Sequence, residues 1–197
     1  MANHLIPIPF IKRAEGHYVN DPLDAGGETM IGITYRVWGS VFGPNAHARF
    51  MAMSDADWAL IWKKLYWDAC LGDQIKSQRI ANVISDWVWG SGKYYPEQHF
   101  QHVLNTHFGL HLTEDGNFGG GTIAAINAAP EEELYKALIA DHLNYIDNIV
   151  AISVNKYKSL HPNATEKELL ASTQKRFLAG WDNRVNNLTK FNLTMSL

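Results

Sequence analysis

Residues 15–34 read EGHYVNDPLDAGGETMIGIT: one glutamate, then a run of turn formers and small side chains. A polar, glycine-containing segment of this length buries little apolar surface, so it is either a costly connection or a functional one. Upstream, residues 8–15 read as a short helix with Pro9 in its first turn, where a missing N–H costs nothing, and Gly16 just past its end. Glu15 is therefore expected at the negative, C-terminal end of a helix, a position that disfavours its carboxylate. Lys12, three residues back on a similar face, acts in the opposite direction. Downstream, only residues 30–35 look extended, as part of a small hairpin, and residues 20–53 read as one long loop.

Most of the remaining sequence reads as helix. Ser54 opens SDADWALIWKKLYWDA with Asp57 three residues on, a capping-box start, and Trp58, Ile61, Trp62 and Leu65 recur at helical spacing. Ile80, Val83, Ile84, Trp87 and Val88 form a second apolar stripe, closed by Gly90, Ser91 and Gly92. Pro96 begins a helix carrying Phe100, Val103, Leu104 and Phe108, which Gly109 ends. After the turn at Glu114, Asp115 and Gly116, a short helix is expected over residues 122–129. Pro130 and three glutamates then start a long helix to about residue 158, because acidic side chains suit a positive helix N-terminus. Thr165 and Glu168 make another capping box, for a last helix running through Trp181 and Val185. The chain is mainly α.

Composition narrows the function classes. With 46% apolar and 19% charged residues in 197, the chain has enough apolar material for a core and is not wholesale disordered. A net charge of −3 argues against nucleic-acid binding, which needs clustered Lys and Arg to neutralise phosphates. The single cysteine, Cys70, excludes an internal disulfide framework and reads as a small buried residue. No run approaches the roughly 18 apolar residues of a membrane span, so no membrane insertion is expected. MANHLIPIPF lacks the basic and uninterrupted apolar regions of a secretory signal. Synthesis in the cytoplasm is expected, with any action at the cell wall or periplasm following holin-type release or dedicated export. Nothing calls for an obligate assembly, so a monomer is expected.

Hydrolysis of a glycosidic bond needs a carboxylic acid that is still protonated near neutral pH, and a second group to stabilise the cationic sugar or activate water. Glu15 suits the first task. Asp24, nine residues on (24 − 15 = 9), is a candidate for the second, with Asp21 as its rival. Taken alone, these read as a solvated helix residue and two turn-forming aspartates.

The wider pattern is a resemblance. Glu15-Gly16, Asn20-Asp21-Pro22, Gly26-Gly27 and Gly32-Ile33-Thr34 at this spacing resemble the opening signature of glycoside hydrolase family 108, bacterial and phage N-acetylmuramidases. More distantly, the Glu15 to Asp24 spacing is similar to that of phage-type lysozymes. The resemblance implies a lysozyme-like helical fold, Glu15 as general acid and no cofactor. It implies cleavage of the β-1,4 bond between N-acetylmuramic acid and N-acetylglucosamine in peptidoglycan strands. Residues 20–36, with Asp21, Thr29, Thr34 and Tyr35, would form one wall of a cleft. The helix around residues 86–92 would stand opposite, offering Asp86, Trp89 and the nearby Tyr94 to substrate. Three positions depart from the pattern: His17 replaces a second glycine, Gly90 an asparagine, and Met30 the threonine of phage-type lysozymes.

Residues 100–127, FQHVLNTHFGLHLTEDGNFGGGTIAAIN, resemble the predicted peptidoglycan-binding segment that follows this catalytic region, as does FLAGWDNRVNNL at residues 177–188. The division implied is a catalytic region, 1–93, and a peptidoglycan-binding helical region, 94–197, packed as one globular unit. The same residues also read as the completion of one helical body, with Trp181 in its core and Arg184 in a structural ion pair. Some relatives of the family carry a secretion-activator label, so a binding protein that keeps the fold without turnover is the alternative. A lytic transglycosylase using the same glutamate is a third reading. His99, His102, His107 and His111 lack a completing ligand set, so no metal is expected. Sugars stack on aromatic faces, which leaves Trp67, Trp89, Tyr94 and Tyr95 as groove candidates, with Trp87 favoured for the core alongside Trp58 and Trp62.

Overall fold

The computed structural model describes residues 1–20 and 27–194; Asp21 and Asp24 lie outside the described residues. Helix α1 (Ile8–Ala14) has Pro9 in its first turn and ends at Glu15, whose backbone is already extended (φ −91°, ψ 139°). Three two-residue strands follow, β1 (Tyr18–Val19), β2 (Thr29–Met30) and β3 (Ile33–Thr34), antiparallel in the order β1-β2-β3. Met30 pairs with both Tyr18 and Ile33. The two residues between β2 and β3 are Ile31 (φ 47°) and Gly32 (φ 75°), the pair of positive φ angles that matches a tight turn to strand twist. Glycine adopts this freely, whereas a β-branched isoleucine is strained there. Ile31 is held in place because the Trp58 indole N–H donates to its carbonyl at 3.0 Å.

The long loop expected over residues 20–53 is not one. It contains α2 (Tyr35–Phe42) and α3 (His47–Met51). The signal for α2 was Thr34, whose Oγ1 accepts from the Val37 N–H as an N-cap, with Trp38 buried behind it. Helix α4 (Asp55–Trp62) starts on the expected Ser54 and Asp57 capping box, then continues as a π-helical turn, Lys63–Trp67. The wider turn suits the five-residue spacing from Trp62 to Trp67, so Trp58, Trp62 and Trp67 all reach the core fully buried. Trp67 is thus a core residue and not a groove lining. Its ring lies so close to Gly72 that a β-carbon there would sit 2.4 Å away.

Helix α5 (Gln78–Ser91) is the axis of the molecule, buried on every side from Ile80 to Val88, including Asn82, Ser85 and Asp86. Helices α6 (Tyr94–Phe108), α8 (Glu131–Leu160) and α10 (Leu178–Thr194) pack around it. Helix α6 begins two residues before Pro96, which occupies its first turn. Helix α7 (Gly120–Ala128) closes the end of α6, and α8 spans about 45 Å at 1.5 Å per residue. The single last helix expected from Thr165 onward is instead two. Helix α9 (Glu166–Ser172) stops at Thr173, whose hydroxyl donates to the Leu169 carbonyl and accepts from the Lys175 N–H; a short 3₁₀ turn then leads into α10. This bend returns α10 to α1, where Phe191 stacks on Phe10 with 5.4 Å between ring centres.

Two glycine substitutions separate packing from propensity. Gly72→Ala drives a methyl group into the Trp67 ring and is expected to cost about 2–3 kcal/mol in denaturant unfolding. Gly90→Ala places a methyl group in open space on a helix and is expected to be neutral or to stabilise by up to about 1 kcal/mol.

Candidate active site

Glu15 stands where α1 gives way to extended chain, and two elements distant in sequence grip one of its oxygens. The Trp89 indole N–H, from the last turn of α5, donates to Oε1 at 2.7 Å. Arg184 Nη1, from α10, donates to the same oxygen at 3.2 Å. Oε2 accepts no hydrogen bond among the described residues. A β-carbon on Gly32 would lie 2.6 Å from Oε2 and 2.7 Å from the Trp89 ring, so the hairpin turn presses against the carboxyl with a residue that leaves it uncovered. The side chain is 19% exposed. Lys12, which sequence placed near Glu15, pairs instead with Asp55 and lies over the Trp58 ring.

Arg184 is itself held by Asp86, through Nη2 at 2.8 Å and Nε at 3.1 and 3.3 Å. Asp86 is 2% exposed. Its burial raises the carboxyl above its ordinary range while the guanidinium acts against that shift. The pair is neutral overall, so Glu15 faces a fixed donor whose charge is already balanced rather than a bare cation. Asp86 therefore reaches the site through Arg184 and does not face the cleft. Behind Trp89, the ring of Tyr66 lies 4.6 Å away, with Trp58 and Trp62 at 5.3 and 6.0 Å. Burial, and then the negative field of Glu15, push the Tyr66 phenol upward.

The other expected site residues are scattered. Thr29 Oγ1 donates to the Gly27 carbonyl, Thr34 caps α2, and the Tyr35 hydroxyl donates to the Pro44 carbonyl at 2.6 Å. All three serve the hairpin and its junction with α2. Met30 is half-buried in β2. Tyr94 is 52% exposed at the start of α6, with Gly116 packed against it. Trp87 is core, stacked on His142 at 3.9 Å. Burial lowers the His142 imidazole to about 3. Cys70 is buried and its thiol is pushed up by that burial. No cluster of three or more His, Cys, Asp or Glu among the described residues could hold a metal; His99 pairs with Asp141 and His102 with Glu114. Arg184 forms the structural ion pair expected of it, with Asp86, and in addition reaches Glu15, a contact that no local signal links to a residue 169 positions earlier.

The motif of the second half is consumed internally. Gln101 is 2% exposed; its amide donates to Asp115 Oδ1, the Asn117 carbonyl and Thr122, and its oxygen accepts from the Gly116 N–H. Glu97 is fully buried, accepts from the Phe118 N–H, and has its other oxygen unpartnered among the described residues. The Gln-containing helix, the Asp-Gly turn and the Gly-x-Thr start thus fasten one loop to α6 and α7.

Residues 8–92 match the family described as Glycosyl hydrolase 108, and residues 95–186 match the Predicted Peptidoglycan domain. The first segment is thus similar to the glycosyl hydrolase 108 family and the second to the predicted peptidoglycan domain, and together they support a peptidoglycan-related role. Its fold is similar to that of SagA from Brucella abortus, with a TM-score of 0.70 and 21% identity over 97% of this chain and 94% of that one. No curated protein matches it in sequence. The boundary between the two segments falls between α5 and α6, so Glu15, Trp89 and Asp86 come from the first segment and Arg184 from the second.

Arg184→Met strands a buried carboxylate and is expected to cost about 3–5 kcal/mol of unfolding free energy, much of it recovered when Asp86→Asn is added. Glu97 gives a pH signature. Burial pushes its carboxyl up to about 7, from an ordinary value near 4.5. The native state holds this proton more tightly than the unfolded chain does. Its contribution is therefore full below pH 4.5 and lost as pH rises through 7, on the order of 3 kcal/mol. Urea titrations across that window should show the loss in wild type and not in Glu97→Gln.

Proposed function

We propose that the chain hydrolyses the β-1,4 bond between N-acetylmuramic acid and N-acetylglucosamine in peptidoglycan, with Glu15 as general acid. The observation that carries this reading is the asymmetry of the Glu15 carboxyl: Oε1 is fixed by Trp89 and Arg184, while Oε2 is left without a partner among the described residues. One oxygen anchors the group, and the other is available to carry a proton to the glycosidic oxygen. As that proton moves, the bond from C1 to the oxygen breaks, and the sugar becomes an oxocarbenium ion that water then attacks. Asp24, or Asp21 in its place, is assigned to stabilising that cation or accepting the proton of the water; both lie outside the described residues. The half-buried Trp89 and Tyr66 and the hairpin turn around Gly32 would border the glycan.

A second reading, a peptidoglycan-binding or secretion-activator protein without turnover, is favoured by one observation. At Gly90, beside Trp89, there is no side chain and nothing within 4 Å of where one would begin. Digestion of purified peptidoglycan by wild type and Glu15→Gln, with fragments identified by mass spectrometry, separates the readings. Reducing muramic-acid ends from wild type, reduced about 10²- to 10⁴-fold in rate by the substitution, are expected. Anhydromuramic ends would make it a transglycosylase, and wall binding without fragments would make it the binding protein.

A further inference from the structure

A sizeable cavity lies away from the exposed side of Glu15. It is a groove of about 780 Å³ between α1 and α10, lined by Phe10 and Arg13 from the first and Trp181, Arg184, Lys190 and Phe191 from the second. It begins where the active site ends, because Arg184 lines the groove and also touches Glu15. The stacked rings of Phe10 and Phe191 form an apolar floor.

Its charge runs against that of the whole chain. The chain carries a net −3, yet among the described residues three cations and no acidic side chain line this groove. Arg184 is already engaged by Asp86 and Glu15. Arg13 and Lys190 form no ion pair among the described residues, although the net excess of acids makes partners plentiful elsewhere. Asn183 and Asn187 add two carboxamides, which with Lys190 fall at i, i+4 and i+7 on one face of α10. Neither amide hydrogen-bonds within the described residues. Unpaired cations, paired donor-and-acceptor amides and an apolar floor together match a short peptide bearing carboxylates. Cations take the carboxylates, carboxamides take the peptide groups, and the stacked rings take alkyl side chains. A neutral sugar would leave both cations without use, and a phosphate polymer would leave the carboxamides and the rings without use.

We propose that this groove binds the acidic stem peptide that hangs from muramic acid, so that α10 reads the peptide while the cleft at Glu15 holds the glycan. The proposal rests on the wall-hydrolase reading for its choice of peptide and deepens it by naming the part of the substrate recognised.

The test uses the free tripeptide L-Ala-γ-D-Glu-diaminopimelate and the same tripeptide with its carboxylates amidated, titrated calorimetrically into wild type and into Arg13→Gln/Lys190→Gln. Wild type should bind the acidic form. The double variant, or amidation of the peptide, should weaken binding about tenfold or more. In wild type, the acidic tripeptide should also shift the amide resonances of Asn183, Asn187 and Lys190, which keeps the question answerable if the variant folds poorly. Equal affinity for both peptides, or an unchanged double variant, overturns the proposal, as does binding of poly(glycerol phosphate) in place of the peptide. No glycan is present, so the outcome is independent of turnover: a protein that binds the tripeptide but releases no wall fragments loses the hydrolase reading and keeps the groove.

Discussion

The guanidinium of Arg184, lying between Asp86 and Glu15, is the interaction on which the rest depends. Helix α5 is buried on every side from Ile80 to Val88, and it carries there a carboxylate that is almost wholly removed from water. Such a charge is tolerated only if a partner of good geometry is brought to it. Arg184 supplies that partner with its Nε and Nη2, and its remaining Nη1 is then turned toward Glu15. The same residue therefore neutralises the core and orients the candidate acid. Because Arg184 lies in the segment that matches the predicted peptidoglycan domain while Asp86 and Glu15 lie in the segment that matches glycosyl hydrolase 108, one cluster of charged side chains joins the two.

The opposite side of Glu15 is built by aromatic packing. Trp58, Trp62, Tyr66 and Trp89 lie ring against ring, and the π-turn after α4 lets Trp67 join Trp62 in the core behind them. Trp58 donates to Ile31, holding a β-branched residue at positive φ, and so fixes the turn that puts Gly32 against Glu15. Strain at such a turn persists only where its surroundings over-determine it, and here an indole, a strand pairing and a carboxyl all converge. Glycine at 32 is required twice, for its φ and for the space that Oε2 occupies.

The second half shows how a family signature can be structural. Gln101, Gly116 and Thr122 are buried and meet in one network, tied to the exposed Asp115 whose Oδ1 accepts from the Gln101 amide and the Asn117 N–H. Asn183, Asn187 and Lys190 of that half line the groove that α10 makes with α1.

Much was legible in the sequence where the signal was local. The capping boxes at Ser54 and Thr165, the end of α1 at Glu15, the apolar stripe of α5 and the glycine stop of α6 all rest on backbone groups finding partners within four residues. The helices α2 and α3 were missed because Thr34 and Trp38 sit in a stretch otherwise dominated by turn formers. The last helix was read as continuous because only the Thr173 side chain marks its break. That the chain is mainly α, and that Glu15 is singled out, the sequence by itself determined. Which groups surround Glu15 was decided only by tertiary structure. The Trp89 indole, the Arg184 guanidinium and the Gly32 backbone come from three elements spread across the chain, and only the need to pair a buried Asp86 and close the aromatic core brings them together.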